Sequence, residues 1–146
     1  MEDSFGKIVA IFICVIQMFF IPLHLYRENI GRLEQTYILS EITYNVDNFR
    51  NTGMIDEEQY NNMRDKIYGL SGGYNIKFTH CTHTADEEND KIVYFNVMYY
   101  EGDIEEELDK VGIYYLDKND YIKILVEDKK GNVIGCYGGS VKNEAY

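Results

Sequence analysis

The sequence has no tryptophan, a single proline (Pro22) and only three cysteines in 146 residues. With one proline there is no polyproline linker. Three thiols, Cys14, Cys81 and Cys136, are too few for a disulfide-built scaffold. Basic residues are scarce as well: 14 Lys and Arg stand against 25 Asp and Glu, for a net charge of -11. That balance excludes a nucleic-acid binder, whose phosphates require Lys and Arg. It also argues against a polar face resting on anionic lipid. Such a charge keeps a domain soluble or meets basic partners.

What is abundant is tyrosine, 14 in all, and one long apolar run. Residues 8–26 read IVAIFICVIQMFFIPLHLY, apolar on every side, so they are not one face of a surface helix. A bilayer-spanning helix needs roughly 20 apolar residues, with a lower limit near 17. A secretory signal peptide would want a basic head and a small-x-small end. The head here is MEDSFGK and the far end LHLYR, so cleavage is not expected. A buried helix of a soluble domain is the other competitor. We read residues 1–26 as an N-terminal membrane anchor and residues 27–146 as one soluble domain. Gln17 in mid-span seeks a hydrogen bond from a neighbouring helix or from its own backbone. Pro22 removes one backbone bond and bends the helix locally. Both residues suit an anchor packed among other helices. Lys7 on one side against Arg27 and Arg32 on the other leaves the orientation undecided.

From Arg27 to Arg50 the helical pattern continues. Ile30, Leu33, Tyr37 and Tyr44 make one stripe, and Leu39, Ile42, Val46 and Phe49 a second. Asn51-Thr52-Gly53 ends it. Asp56 and Gln59 form a capping-box pattern for a second helix, stapled by Ile55 and Tyr60. Its buried stripe is Tyr60, Met63, Ile67 and Leu70, and Ser71-Gly72-Gly73 stops it. The period then changes to two. Strands are expected over 74–80, 91–101 and 121–127, the last turning back at Lys130-Gly131-Asn132 into 133–137. Between them stand an acidic loop at 85–90, a short helix over 104–111 capped by Asp103, and an extended piece at 114–116. The tail from Gly138 to Tyr146 is expected to fray. Helices first and antiparallel strands after argue an α+β domain, with a helix laid across one sheet face.

No catalytic constellation stands out. His80-Cys81-Thr82-His83 puts Cys81 and His83 on one strand face, but zinc needs three or four ligands, and only Cys136 remains as a further soft one. Asp86, Glu87, Glu88 and Asp90 lack the glycine-turned frame of a calcium loop. Gly69 to Gly73 lacks the lysine of a phosphate loop, and Ser140 has no recognisable triad partners. No cofactor or metal is expected. Cys81 and Cys136 could pair if the domain faces an oxidising compartment.

Taken together, FFIPLHLY at the anchor end, IDEEQYNNMRDKIYGLSGGYNIKFTH and VMYYEGDIEEELDKVGIYYLDKNDYIKILV resemble the type IV pilin-like plan. More narrowly they resemble the small TadE-like pseudopilins of Tad/Flp pilus systems. The resemblance implies a long helix on a small antiparallel sheet and a non-enzymatic part of a pilus or secretion assembly. Other pilin-like subunits would be its partners, and its domain would lie outside the cytoplasm, where a Cys81–Cys136 bridge is permitted. Pilin-like precursors carry a glycine before the cut and a glutamate five residues beyond. Here Gly6 precedes Lys7 and the fifth residue is Ile11, so peptidase processing and polymerisation do not follow from the resemblance. The rival reading is a single-pass ligand-binding or sensory module with no filament role.

Overall fold

The computed structural model describes residues 2–88 and 91–142, with side chains for all of these except 2–4 and 85–94. Helix α1, Glu2–Thr52, opens the chain. It is followed by β1 (Met54–Asp56), α2 (Glu57–Tyr68), β2 (Asn75–Glu88), β3 (Lys91–Tyr100), α3 (Glu101–Val111), β4 (Ile113–Tyr115), β5 (Tyr121–Glu127) and β6 (Val133–Ser140). The architecture is α+β, as the sequence predicts. The chain divides into two compact units, Met1–Glu34 and Gln35–Tyr146.

In the first unit, residues 5–29 are exposed throughout. The helix Phe5–Thr52 is long and apolar enough to cross a membrane, and none of its most apolar window is buried in the chain's own core. A core helix of a soluble domain would be mostly covered. Gln17 and Pro22 both lie within this exposed stretch, and the helix assignment is continuous through Pro22.

In the second unit, the four-stranded antiparallel sheet has the order β3-β2-β5-β6, and β1 and β4 form a separate two-stranded ladder. Period-two alternation sends Ile76, Phe78 and His80 of β2 and Ile122, Ile124 and Val126 of β5 to the buried face. Against them pack Ile38, Ile42, Val46 and Phe49 of α1, with Tyr60, Met63 and Ile67 of α2. Phe78 is the hub, with Phe49 and Tyr60 rings at 6.4 and 6.2 Å. Burial of each such ring contributes about 2–3 kcal/mol. Ile38 takes the inward place expected of Leu39, which is exposed, as are Leu33, Tyr37 and Tyr44. Only one stripe of this segment faces the sheet, and the other stays uncovered in this chain.

Glycines bring α1 close to β6. A Cβ on Gly135 would stand 3.3 Å from Ile42 Cδ1, and one on Gly139 only 2.5 Å from Arg50 Cζ. Arg50 Nε in turn donates to Ser140 O at 2.8 Å, and Tyr137 Oη donates to Asp47 Oδ1 at 3.1 Å. At Gly53 the chain turns with φ 72°, a conformation that favours glycine.

Several boundaries differ from expectation. The acidic stretch expected as a loop over 85–90 is strand through Glu88, because it pairs with β3 in register as far as Glu88–Lys91. Residues 89 and 90 lie outside the described residues. Pairing of β2 with β5 stops at Cys81, so beyond that point the hairpin is two strands wide. Helix α3 begins at Glu101 rather than Ile104, and Asp103 Oδ2 accepts the Tyr100 amide at 2.9 Å instead of serving as the N-cap itself. The tail does not fray at Gly138. Strand β6 continues to Ser140, and Val141 is buried while exchanging backbone bonds with Asn119 and Asp120.

Candidate functional site

A cleft of about 420 Å³ opens between residues 41–48 of α1 and residues 56–66, the end of β1 and most of α2. Its walls are carboxamides and carboxylates: Asn45, Asn48, Gln59 and Asn62 with Glu41, Asp56 and Glu58. Asn45 occupies a core position of the α1 stripe and is 2 % exposed. A buried amide is costly unless bonded, and here it is bonded at both ends. Its Nδ2 donates to Glu41 O at 2.9 Å, and its Oδ1 accepts from Gln59 Nε2 at 2.9 Å. Gln59 Oε1 accepts from Asn48 Nδ2 at 2.8 Å. The Gln59 backbone amide donates to Asp56 Oδ1 at 3.2 Å, which is the cap the sequence predicts. The Gln59 side chain, expected to reach back to its own helix start, goes across to α1 instead. Lys66 Nζ donates to Glu41 Oε1 at 2.7 Å, and that bond raises the lysine above its ordinary range. The result is a fixed line of amide donors and acceptors ending in an ion pair. It can hold a polar group.

The second polar cluster is sealed. His80 Nε2 lies 2.8 Å from Asp120 Oδ2, and its Nδ1 lies 2.8 Å from Tyr114 Oη. Asp120 Oδ2 also accepts the Asp117 amide at 2.9 Å. Since the carboxylate only accepts, Nε2–H donates to it, and in the neutral imidazole Nδ1 is then left to accept from Tyr114 O–H. Tyr99 stacks on the imidazole with centroids 5.5 Å apart. The three side chains resemble a relay in outline, and none is more than 5 % exposed. Burial, and then Glu107, pushes the Tyr114 phenol up. A third cluster joins α2 to α3: Tyr60 Oη donates to Glu105 Oε1 at 3.2 Å, and Arg64 pairs with the same carboxylate.

The residues singled out from sequence are scattered. His83 is exposed and pairs with Asn96 across the hairpin. No group of three or more metal ligands occurs among the described residues. Cys81 and Cys136 are separate thiols rather than the bridge allowed for above. Cys81 lies opposite Tyr121 and Cys136 opposite Leu125, with β5 between their strands. Two strand spacings are about 9.5 Å, beyond the ~7 Å Cα limit of a disulfide. The side chains of Asp86, Glu87, Glu88 and Asp90 lie outside those described. Sequence reading missed Asn45, Gln59 and Asp120 as partners. The one available signal was a polar residue, Asn45, inside the apolar spacing Ile38, Ile42, Phe49. No family model, curated protein or solved structure matches the chain.

Proposed function

We propose that this protein is a non-enzymatic, membrane-anchored component of a pilin-like or pseudopilin-like assembly, with its soluble domain outside the cytoplasm. The observation that carries this reading is the change of environment along α1. Residues 8–26 expose an almost wholly apolar surface on all sides, whereas Ile38, Ile42, Val46 and Phe49 pack on the sheet. An all-round apolar surface wants lipid or other apolar helices. The sealed state of His80, Tyr114 and Asp120 favours a part that works by contact.

The test is fractionation followed by co-purification. The full chain is expected to stay in membranes after alkaline carbonate washing and to co-purify with pilus-assembly proteins. Gln17→Leu is expected to weaken that association by removing the one mid-span polar contact. A chain found in the soluble fraction without detergent defeats the proposal. So does unchanged co-purification of Gln17→Leu where no secretion ATPase is encoded nearby.

The amide-lined cleft favours a second reading, a single-pass ligand-binding or sensory module. Saturable binding of a small polar ligand, lost in Asn48→Ala, together with no assembly partner, would support it instead.

A further inference from the structure

β3 is an edge strand, paired with β2 from Tyr100 back to Lys91 in unbroken register. Its other edge carries no strand among the described residues. Proteins guard such edges with charges, proline, bulges or short length, because free N–H and C=O groups template further pairing. β3 has no proline and no bulge, and it is not short. It reads KIVYFNVMYY over 10 residues, and its only charge is at its first position. Phe95, Met98 and Tyr100 are 43, 55 and 58 % exposed. The opposite edge is treated differently: Gln35 Nε2 donates to Ile134 O at 3.1 Å, Arg50 caps Ser140 O, and a register shift interrupts the β5–β6 ladder.

We propose that the free edge of β3 pairs antiparallel with the same edge of a second copy of this chain, about a two-fold axis at Asn96. Two observations limit the axis to the outward-facing residues of β3, and the cross-strand pairs place it at Asn96. The Tyr100 amide donates to Asp103 Oδ2, so it is not spent on β2. Alternation along the regular ladder then turns the Met98 and Asn96 backbone groups to the same open side. A two-fold at Asn96 sets outward groups against outward groups. In that register Phe95 lies opposite Val97 of the second copy, an aromatic against a β-branched residue, which is a favourable cross-strand pair. The strand is uncharged from Ile92 to Tyr100, so no charge opposes its own pairing, although the chain as a whole carries -11. Self-complementarity of this kind is what a two-fold interface needs, and it joins two four-stranded sheets into one. The inference stands apart from the pilus reading, since it uses only β3.

The test uses the full chain in a detergent micelle, with protein mass read by light scattering. The wild-type chain is expected at twice the monomer mass at high micromolar concentration. Asn96→Lys puts two like charges face to face on the axis, and Asn96→Glu does the same; each alone should halve the mass. Mixing the two variants should restore the doubled mass, which a merely misfolded variant would not do. Gln17→Leu should leave the doubled mass unchanged, separating this contact from association through the apolar helix. A wild-type chain that stays monomeric overturns the proposal. So does a doubled mass that persists in both single variants, or a mixture that remains monomeric.

Discussion

His80 and Asp120, 40 residues apart in sequence, meet at 2.8 Å with both side chains about 5 % exposed. That bond ties β2 to the turn before β5, and Tyr114 closes the far side of the ring. Removing one member strands the others away from water. Tyr114→Phe should cost about 1–3 kcal/mol, since it leaves His80 Nδ1 a buried acceptor without a donor. Asp120→Ala should cost more, because the Asp117 amide loses its acceptor too. Denaturant unfolding of the full chain in detergent checks both, and equal stability of Tyr114→Phe and wild type would remove the ring from the account.

Two buried phenols set an alkaline limit. Tyr60 and Tyr114 are both pushed up, by burial first and then by Glu101 and Glu107 respectively. The folded state therefore holds these protons more tightly than the unfolded state. Their contribution is full below the ordinary tyrosine value of about 10 and is lost as pH rises above it. Unfolding midpoints should fall above that pH, and less steeply in Tyr60→Phe. A midpoint flat across the same range would contradict the burial of these hydroxyls.

Gly138 is hemmed in by backbone. An added Cβ would stand 2.6 Å from Ile122 O and 3.0 Å from Lys123 Cα. Main chain cannot rotate aside, so Gly138→Ala should destabilise by about 1–3 kcal/mol. Gly102, with nothing within 4 Å of the same added atom, is the matched control, and Gly102→Ala should be close to neutral. Thermal melts of the two variants give the comparison.

The amide line should be strongly non-additive. Asn45→Leu alone leaves Gln59 Nε2 without its acceptor and should cost about 1–3 kcal/mol. Asn45→Leu with Gln59→Leu removes both ends of the bond and should recover much of that loss. A double-mutant cycle reads the coupling directly. Additive losses would mean that the two amides do not depend on one another.

Much of this fold is written in short-range pattern. The D-x-x-Q cap at Asp56, the stripe Tyr60, Met63, Ile67, and the alternation Ile76, Phe78, His80 each follow from local spacing, and each is found as expected. The ladder β1–β4 was not legible. Met54–Asp56 is a three-residue strand whose pairing with Ile113–Tyr115 depends on a contact nearly sixty positions away. Residues 85–88 were equally opaque: their acidity speaks for a loop, and only the apolar partner strand holds them extended. On α1 the expected stripe holds at Ile42, Val46 and Phe49, and its first member is Ile38 rather than Leu39, since 38 lies four residues before 42. The candidate site was least legible of all. Asn45, Asn48 and Gln59 are ordinary surface residues by type, and tertiary placement alone brings them together.

Strand β2 has both neighbours only over Thr79–Cys81, where its ladders with β5 and β3 overlap, and β3 alone beyond. A ribbon of two strands is marginal by itself in water, whereas three strands with a packed face are not. Solvent deuterium should therefore enter this single strand at two speeds, slowly at Thr79, His80 and Cys81 and faster from Thr82 onward. Any partner that later seats against the hairpin would announce itself by erasing that step.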